Sequence, residues 1–375
     1  MVISITIWFV FGLLISYLIV IGIITFGWFQ LASNERPSYL KEVRLSVVIA
    51  VRNEEENISR LISQILNQDY PQPLFDIIII DDHSTDNTAS IIESYMVNDD
   101  HKISLLSATG NGKKNALREG IRRSTSDLIV TTDGDCEVGN RWLSGIVSYY
   151  CTTGKKVICG PVVYSNHKSI FQKFVTVDFA SLVASGAGSL GVGLPLMGNG
   201  ANIAFEKQVY DDFKDKSNKY ASGDDVFLIH HSAKKYGYKS VGFIKQEEVI
   251  VKTPPPVGFA DFMKQRIRWA SKAKGYYLPW PIIVSLTIFI FNLALFTLLV
   301  GSIFFNWLLP IYFLIILTKF LIDIPLVFRF LTFSGKSKLK PWLFIMEFVY
   351  PVYIVISAIS SFVFSFSWKD RRDLQ

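Results

Sequence analysis

Leu128-Ile129-Val130-Thr131-Thr132-Asp133-Gly134-Asp135 is a short, β-branched apolar run that stops at two carboxylates one residue apart. A run of this length and composition predicts a buried strand, here residues 128–132 ending at Asp133. Working outward, residues 45–50 predict a first strand and residues 75–80 a second, which ends at Asp81-Asp82. Asn53, with Glu56 three residues on, predicts a capped helix start after the first strand. Ser84 predicts the cap of a helix running through Ile91 and Ile92. Residues 103–106 predict a third strand, and Lys113–Arg123 a helix. Strand and helix alternate at the spacing of a mostly parallel, Rossmann-like α/β sheet. Ligands of such sheets bind beyond the carboxyl ends of the strands, where the acidic residues fall.

The ends of the chain have a different texture. Half of the 375 residues are hydrophobic, mean hydropathy is +0.32, and the apolar residues concentrate at both termini. Residues 3–31 are long enough to span a bilayer. No Lys or Arg precedes the run and no A-x-A-like site follows it, so a cleaved signal peptide is not expected. Arg36, Lys41 and Arg44 place the following domain in the cytoplasm. Three further apolar stretches cover residues 282–305, 308–330 and 342–366, with Arg329, Lys336, Lys338 and Lys340 marking the loop before the last as cytoplasmic. Four simple crossings would put the basic tail, residues 369–372, outside. One stretch is therefore a candidate for re-entrant or interfacial placement, with Pro310, Asp323, Pro325, Glu347 and Pro351 as possible causes. Asp323 itself reads as a kink cap beside Pro325 or as the partner of a nearby cation.

Residues 258–278 predict an amphipathic, strongly basic helix ended by Pro279 and Pro281, suited to a membrane surface. The expected organisation is thus an anchor (1–32), a cytoplasmic domain (33–257), an interface helix (258–281) and C-terminal transmembrane helices (282–375). The net charge of +6 gathers beside the apolar runs, where it meets anionic membrane lipids. No basic stripe interleaves with aromatics, so nucleic acid is not an expected partner. Cys136, Cys151 and Cys159 have neither metal-ligand nor disulfide spacing and read as small core residues.

Several groups carry chemistry. Asp133 and Asp135 can hold a hard divalent cation that bridges a diphosphate, although an ordinary acidic turn has the same appearance. Asp81-Asp82 is a second acidic pair on the same edge, able to bind a ribose hydroxyl or base edge, or simply part of a capped loop. Asp224-Asp225, after Ser222-Gly223, can supply a general base or merely stabilise a helix N-terminus. Gln265-Arg266-Ile267-Arg268-Trp269 offers arginines to a leaving diphosphate, or a basic surface helix. Two apparent motifs are discounted. Gly186, Gly188 and Gly191 match G-x-G-x-x-G, but no clear strand precedes them. Gly112-Lys113 lacks the other positions of a phosphate loop. His230 and His231 are adjacent on a helix, face different ways and read as structural.

Taken in order, Val48-Ile49-Ala50-Val51-Arg52-Asn53-Glu54, Ile80 to Ser84, Gly112-Lys113 with Asn115-Ala116-Leu117, Asp133-Gly134-Asp135, Gly198 to Asn202, Gly223-Asp224-Asp225 and Gln265 to Trp269 resemble the membrane-bound family 2 glycosyltransferases of GT-A fold. The relatives in view are ceramide glucosyltransferase-like and hyaluronan, cellulose or poly-N-acetylglucosamine synthase-like enzymes. The resemblance spans residues 45–269. It implies that Val51 and Glu54 hold the nucleobase, Asp82 the nucleoside, and Lys113 the donor. It makes Asp133 and Asp135 the site of Mg2+ or Mn2+, with Asp135 the direct ligand, and Asp225, beside Asp224, the base. Gln265, Arg268 and Trp269 would close over the diphosphate and acceptor, with Asn199 and Asn202 on the acceptor side. Two positions depart from the family. Asp224 stands where Glu is frequent, and Arg266 where many polymer synthases have Gln.

The implied reaction is an inverting transfer from a nucleotide-sugar donor, first of all a UDP-sugar, to a lipid or glycan at the cytoplasmic face of a bacterial inner membrane. Alternatives are a processive polysaccharide synthase, a silent scaffold and a transporter. The filled acidic positions oppose the last two.

Overall fold

The computed structural model describes residues 2–32, 42–97, 103–165, 169–213, 224–363, 367–368 and 371–372. Its helices are α1 (Val2–Gln30), α2 (Ile58–Leu66), α3 (Thr88–Met96), α4 (Lys113–Arg123), α5 (Trp142–Thr153), α6 (Ile170–Gly191), α7 (Lys207–Asp212), α8 (Asp224–Tyr236), α9 (Phe259–Ser271), α10 (Pro279–Gly301), α11 (Leu308–Phe333) and α12 (Trp342–Val363). Its strands are β1 (Leu45–Val51), β2 (Phe75–Asp81), β3 (Ile103–Ser107), β4 (Leu128–Asp133), β5 (Val157–Cys159), β6 (Val162–Tyr164), β7 (Ile203–Glu206), β8 (Val241–Phe243), β9 (Val251–Thr253), β10 (Ser367–Trp368) and β11 (Arg371–Arg372). Arg36, Lys41, Ser222, Gly223 and Lys369, which figure in the sequence reading, lie outside the described residues.

The chain divides into two compact units. One comprises Leu31–Asn166, Met197–Pro254 and Ser367–Gln375; the other comprises Met1–Gln30, His167–Leu196 and Pro255–Phe366. This corrects the expected domain of residues 33–257. Helix α6 interrupts that domain and groups with the membrane-type helices. Its apolar content is diluted by Lys173, Asp178 and several Gly and Ser residues, which makes it the least hydropathic of the helices, among the described residues, that are long and apolar enough to cross a membrane.

The first unit is built on a seven-stranded sheet of order β3-β2-β1-β4-β7-β5-β8. Strands β1 to β4 are mutually parallel, whereas β7 runs antiparallel to both β4 and β5. Every residue of β1 is buried, Ser46 included, as expected of a central parallel strand covered on both faces. Helix α4 crosses close above it, because Gly120 has no β-carbon and a methyl there would press on Val48 and Ile80. The register sets Ala50 opposite Asp133 and Val51 opposite Asp81, so the carboxyl ends of β1, β2 and β4 finish level. A small parallel sheet, β6 with β9, completes the unit.

Both expected caps are replaced by tertiary bracing. Helix α2 starts after Asn57, not Asn53. Asn53 instead takes a left-handed backbone, φ 52°, and its side-chain oxygen accepts from Thr85 N at 2.8 Å. Helix α3 starts after Asn87, and the Ser84 hydroxyl donates to Asp81 instead of capping.

The second unit contains α1, α6 and α9 to α12. Val10, Leu14, Tyr17 and Ile21 of α1 pack with Phe291, Leu295 and Leu298 of α10 and Tyr312, Ile315 and Ile316 of α11. Helices α1 and α6 touch backbone to backbone: a β-carbon on Gly27 would strike the Gly188 carbonyl, and one on Gly191 the Gly27 carbonyl. Two glycines of the discounted pattern, Gly188 and Gly191, thus form a close-packing seam of the small-residue kind used between helices in membranes. Asp323 does pair with a cation. Lys319 donates to Asp323 at 2.8 Å and also to the wholly buried Glu347, while Tyr17 donates to Asp323 at 2.8 Å. The basic helix ends at Ser271 with one 3-10 turn after it. Pro279 opens α10 rather than stopping α9, at the first helical position where its missing N–H costs nothing.

Candidate active site

The level strand ends create an acidic edge. Gly134 lies between Asp133 and Asp135 in close quarters: a β-carbon would stand 3.1 Å from the Val51 side chain and 3.0 Å from that of Glu54, which would have to give way. The sheet therefore brings Val51, Glu54 and the Asp-Gly-Asp turn into one place, from β1 and β4. The Lys113 ammonium, at the first turn of α4, forms an ion pair with Asp133. Asp133 and Asp135 are both half-buried. The Cys136 thiol next to them is pushed well up, first by burial and then by the Asp133 and Asp135 carboxylates.

The loops above this edge are laced together. The Glu54 N–H donates to Thr88 at 2.8 Å, the Asn53 N–H to Ser84 at 3.0 Å, and the Glu55 N–H to Asp86 at 3.2 Å. His83, like Asn53, has a left-handed backbone, φ 58°. Each such residue costs about 1–2 kcal/mol, and strain of this kind gathers at functional sites.

Asp82 is placed differently from the expected nucleoside ligand. It is fully buried. Its carboxylate accepts from Gly112 N at 3.1 Å and lies 3.9 Å from Arg52 Nη1. Gly112 makes that approach with φ 92°, open to glycine but unfavourable for other residues. Asp82 thus ties the end of β2 to the loop that presents Lys113, and contact with a nucleoside would require that loop to shift.

Asp225 lies in the first turn of α8 and is half-buried. Its Oδ2 accepts from Gly200 N at 3.1 Å and its Oδ1 from Val226 N at 2.9 Å. The Gly200 carbonyl in turn accepts from Thr131 Oγ1 at 2.7 Å. Asp225 is therefore anchored, through one residue, to the strand that ends at Asp133. Its charge is felt locally: the buried Cys159 thiol is raised by desolvation first and by Asp225 second. Asp224 begins the same helix.

The two asparagines separate. Asn199 is half-buried, and its side chain accepts from Ala201 N at 3.0 Å. Asn202 is 1% exposed and its amide is spent on the fold. Its oxygen accepts from Trp142 Nε1 at 3.0 Å, and its nitrogen donates to Pro161 O at 2.9 Å and Val249 O at 2.8 Å. Asn202 is thus a scaffold residue, contrary to its expected acceptor role, because buried amides are held by the groups that satisfy them.

Gln265, Arg268 and Trp269 lie half-buried on α9, in the helical unit. Arg266, grouped with the diphosphate-binding arginines by the sequence, is instead buried and paired with Asp178 of α6. Asp178 lies in the helix that hydropathy overlooked, and a lone Asp in an apolar run was the available signal. Among the described residues, no group of three or more His, Cys, Asp or Glu side chains forms a metal cage.

Comparison with known proteins follows the same lines. The profile of Glycosyl transferase family 2 matches residues 46–183, and that of Glycosyl transferase family group 2 matches residues 128–362. The glycosyltransferase AglE of Haloferax volcanii is 25% identical over 238 residues, covering 63% of this chain and 74% of that protein. The poly-β-1,6-N-acetyl-D-glucosamine synthase of Staphylococcus epidermidis is 31% identical over 140 residues, 37% of this chain and 33% of the synthase. Among solved structures, the mannosyltransferase PcManGT of Pyrobaculum calidifontis, in complex with GDP-Man and Mn2+, is 17% identical. It superposes with a TM-score of 0.57 over 92% of this chain and 96% of its own, a likeness of fold.

Proposed function

The chain belongs to glycosyl transferase family group 2, and on that premise we propose that it transfers a sugar from a nucleoside-diphosphate donor to an acceptor at a membrane, with inversion at the anomeric carbon. The observation that carries the reading is the joint placement on one strand: β4 delivers Asp133 at its end and, through Thr131 and Gly200, holds Asp225 nearby.

The residues divide the work. Val51 and Glu54 flank the nucleobase beside Gly134. Lys113, already seated on a carboxylate, offers its ammonium to the donor phosphates. Asp225 takes the proton from the acceptor hydroxyl as the new glycosidic bond forms, and the diphosphate leaves from the opposite face. Asn199 lines the acceptor side, and the family resemblance assigns Gln265, Arg268 and Trp269 to the leaving group.

The donor set also fits a hard divalent cation. Mg2+ is commonly bound by one or two carboxylates together with substrate phosphates and waters, and Asp135, with Asp133 on Lys113, supplies that much. PcManGT carries Mn2+ in its structure. Such an ion, once bound, would neutralise charge developing on the leaving diphosphate.

Among the described residues, five helices are long and apolar enough to cross a membrane. A membrane setting favours a lipid acceptor, and Arg36, Lys41 and Arg44 after the first apolar run favour a catalytic unit in the cytoplasm. A processive polymer synthase is the second reading, favoured by the match to the poly-N-acetylglucosamine synthase. A sizing gel separates the two: one added sugar supports the first and a ladder the second. The role of Asp225 is tested by Asp225→Asn, expected to abolish transfer while donor binding persists. Undiminished turnover would contradict it.

A further inference from the structure

Asp178 and Arg266 are the most deeply buried oppositely charged pair around the Gln265–Trp269 segment. Arg266 donates to Asp178 Oδ2 through Nε at 2.8 Å and through Nη2 as well. The other carboxylate oxygen accepts from Tyr353 of α12. The guanidinium carbon lies over two rings, 4.6 Å from the centre of Phe262 and 4.4 Å from that of Trp269. Phe179, next to Asp178, lies 5.8 Å from Trp269. The Gln265 side-chain oxygen accepts from Arg266 Nη1 at 2.8 Å. One arginine thus touches both ends of the motif, while Asp178 and Tyr353 fix the arginine from two other helices.

From this we infer that Asp178, Arg266 and Tyr353 are positioning residues for the reaction, setting the orientation in which Gln265, Arg268 and Trp269 meet the donor; this rests on the functional reading given above. Two guanidinium nitrogens converge on one carboxylate oxygen and Tyr353 holds the other, which restrains rotation of α9 as well as its depth more than a single hydrogen bond would. Misplacement of a group that acts mainly in the transition state lowers kcat more than it raises KM.

The test is steady-state release of nucleoside diphosphate from the full-length protein in lipid, with thermal midpoints, for Asp178→Asn, Arg266→Lys, Tyr353→Phe and Arg268→Ala. Arg266→Lys keeps the charge and loses the fork. It should lower kcat roughly tenfold or more, with donor KM within about twofold. Tyr353→Phe should lower kcat by a smaller factor at an unchanged midpoint, and it keeps the proposal decidable if Asp178→Asn does not fold. Wild-type kcat in folded Arg266→Lys and Tyr353→Phe would overturn the positioning role. Wild-type kcat in Arg268→Ala would overturn the reading beneath it.

Discussion

The Lys113 ammonium rests on the Asp133 carboxylate, joining the start of α4 to the end of β4. Both side chains are about one-third exposed, so the pair contributes at most about 1 kcal/mol to stability. Its value lies in placing a cation where donor phosphates would arrive. Lys113→Ala should raise donor KM on the order of tenfold while leaving the thermal midpoint nearly unchanged. Kinetics and a melting curve on the same preparation check both parts.

Gly27 and Gly188 meet through their backbones, so bulk at either must push α1 and α6 apart. Gly188→Leu should destabilise the helical unit by about 1–3 kcal/mol or more, the usual cost of overpacking. Gly12, also on α1, has open space where a β-carbon would stand, with nothing within 4 Å, and Gly12→Leu should be neutral. Equal midpoints for the two variants would contradict the seam.

The raised thiols of Cys136 and Cys159 carry a sign that can be worked out. For an acid whose folded value lies above its unfolded one, the native state keeps a proton that the unfolded chain gives up. Its stabilising share is complete below the unfolded thiol value, about 8.5, and is lost as pH rises toward the folded one. Stability should therefore fall in alkaline buffer, and less steeply in Cys159→Ala. Alkylation followed by mass spectrometry should modify exposed Cys151 first and the buried pair only on unfolding.

The acidic edge was readable in the sequence because central parallel strands need near-continuous apolar runs, and an acid that ends such a run must lie at the carboxyl ends of the strands. Whereas Lys113, at the start of α4, came from the family resemblance, Asp81 and Asp133 follow from that rule. It failed where long-range partners override local chemistry. Asn53 and Ser84 look like caps, but each braces a neighbouring loop. Asn202 falls in a recognisable motif, yet Trp142, Pro161 and Val249 consume its amide. Helix α6 was missed because the residues that make it useful, Asp178 for Arg266 and glycines for α1, are those that lower its hydropathy.

The most direct measurement is nucleoside diphosphate release by the purified protein in native-like lipid. It would use a panel of nucleotide sugars, UDP- and GDP-linked donors first, with lipid extract as acceptor and with Mn2+, Mg2+ or chelator. The account predicts release with one donor, lost on chelation and in Asp135→Ala. Release that ignores both the chelator and Asp135→Ala, or no release with any donor, would contradict it.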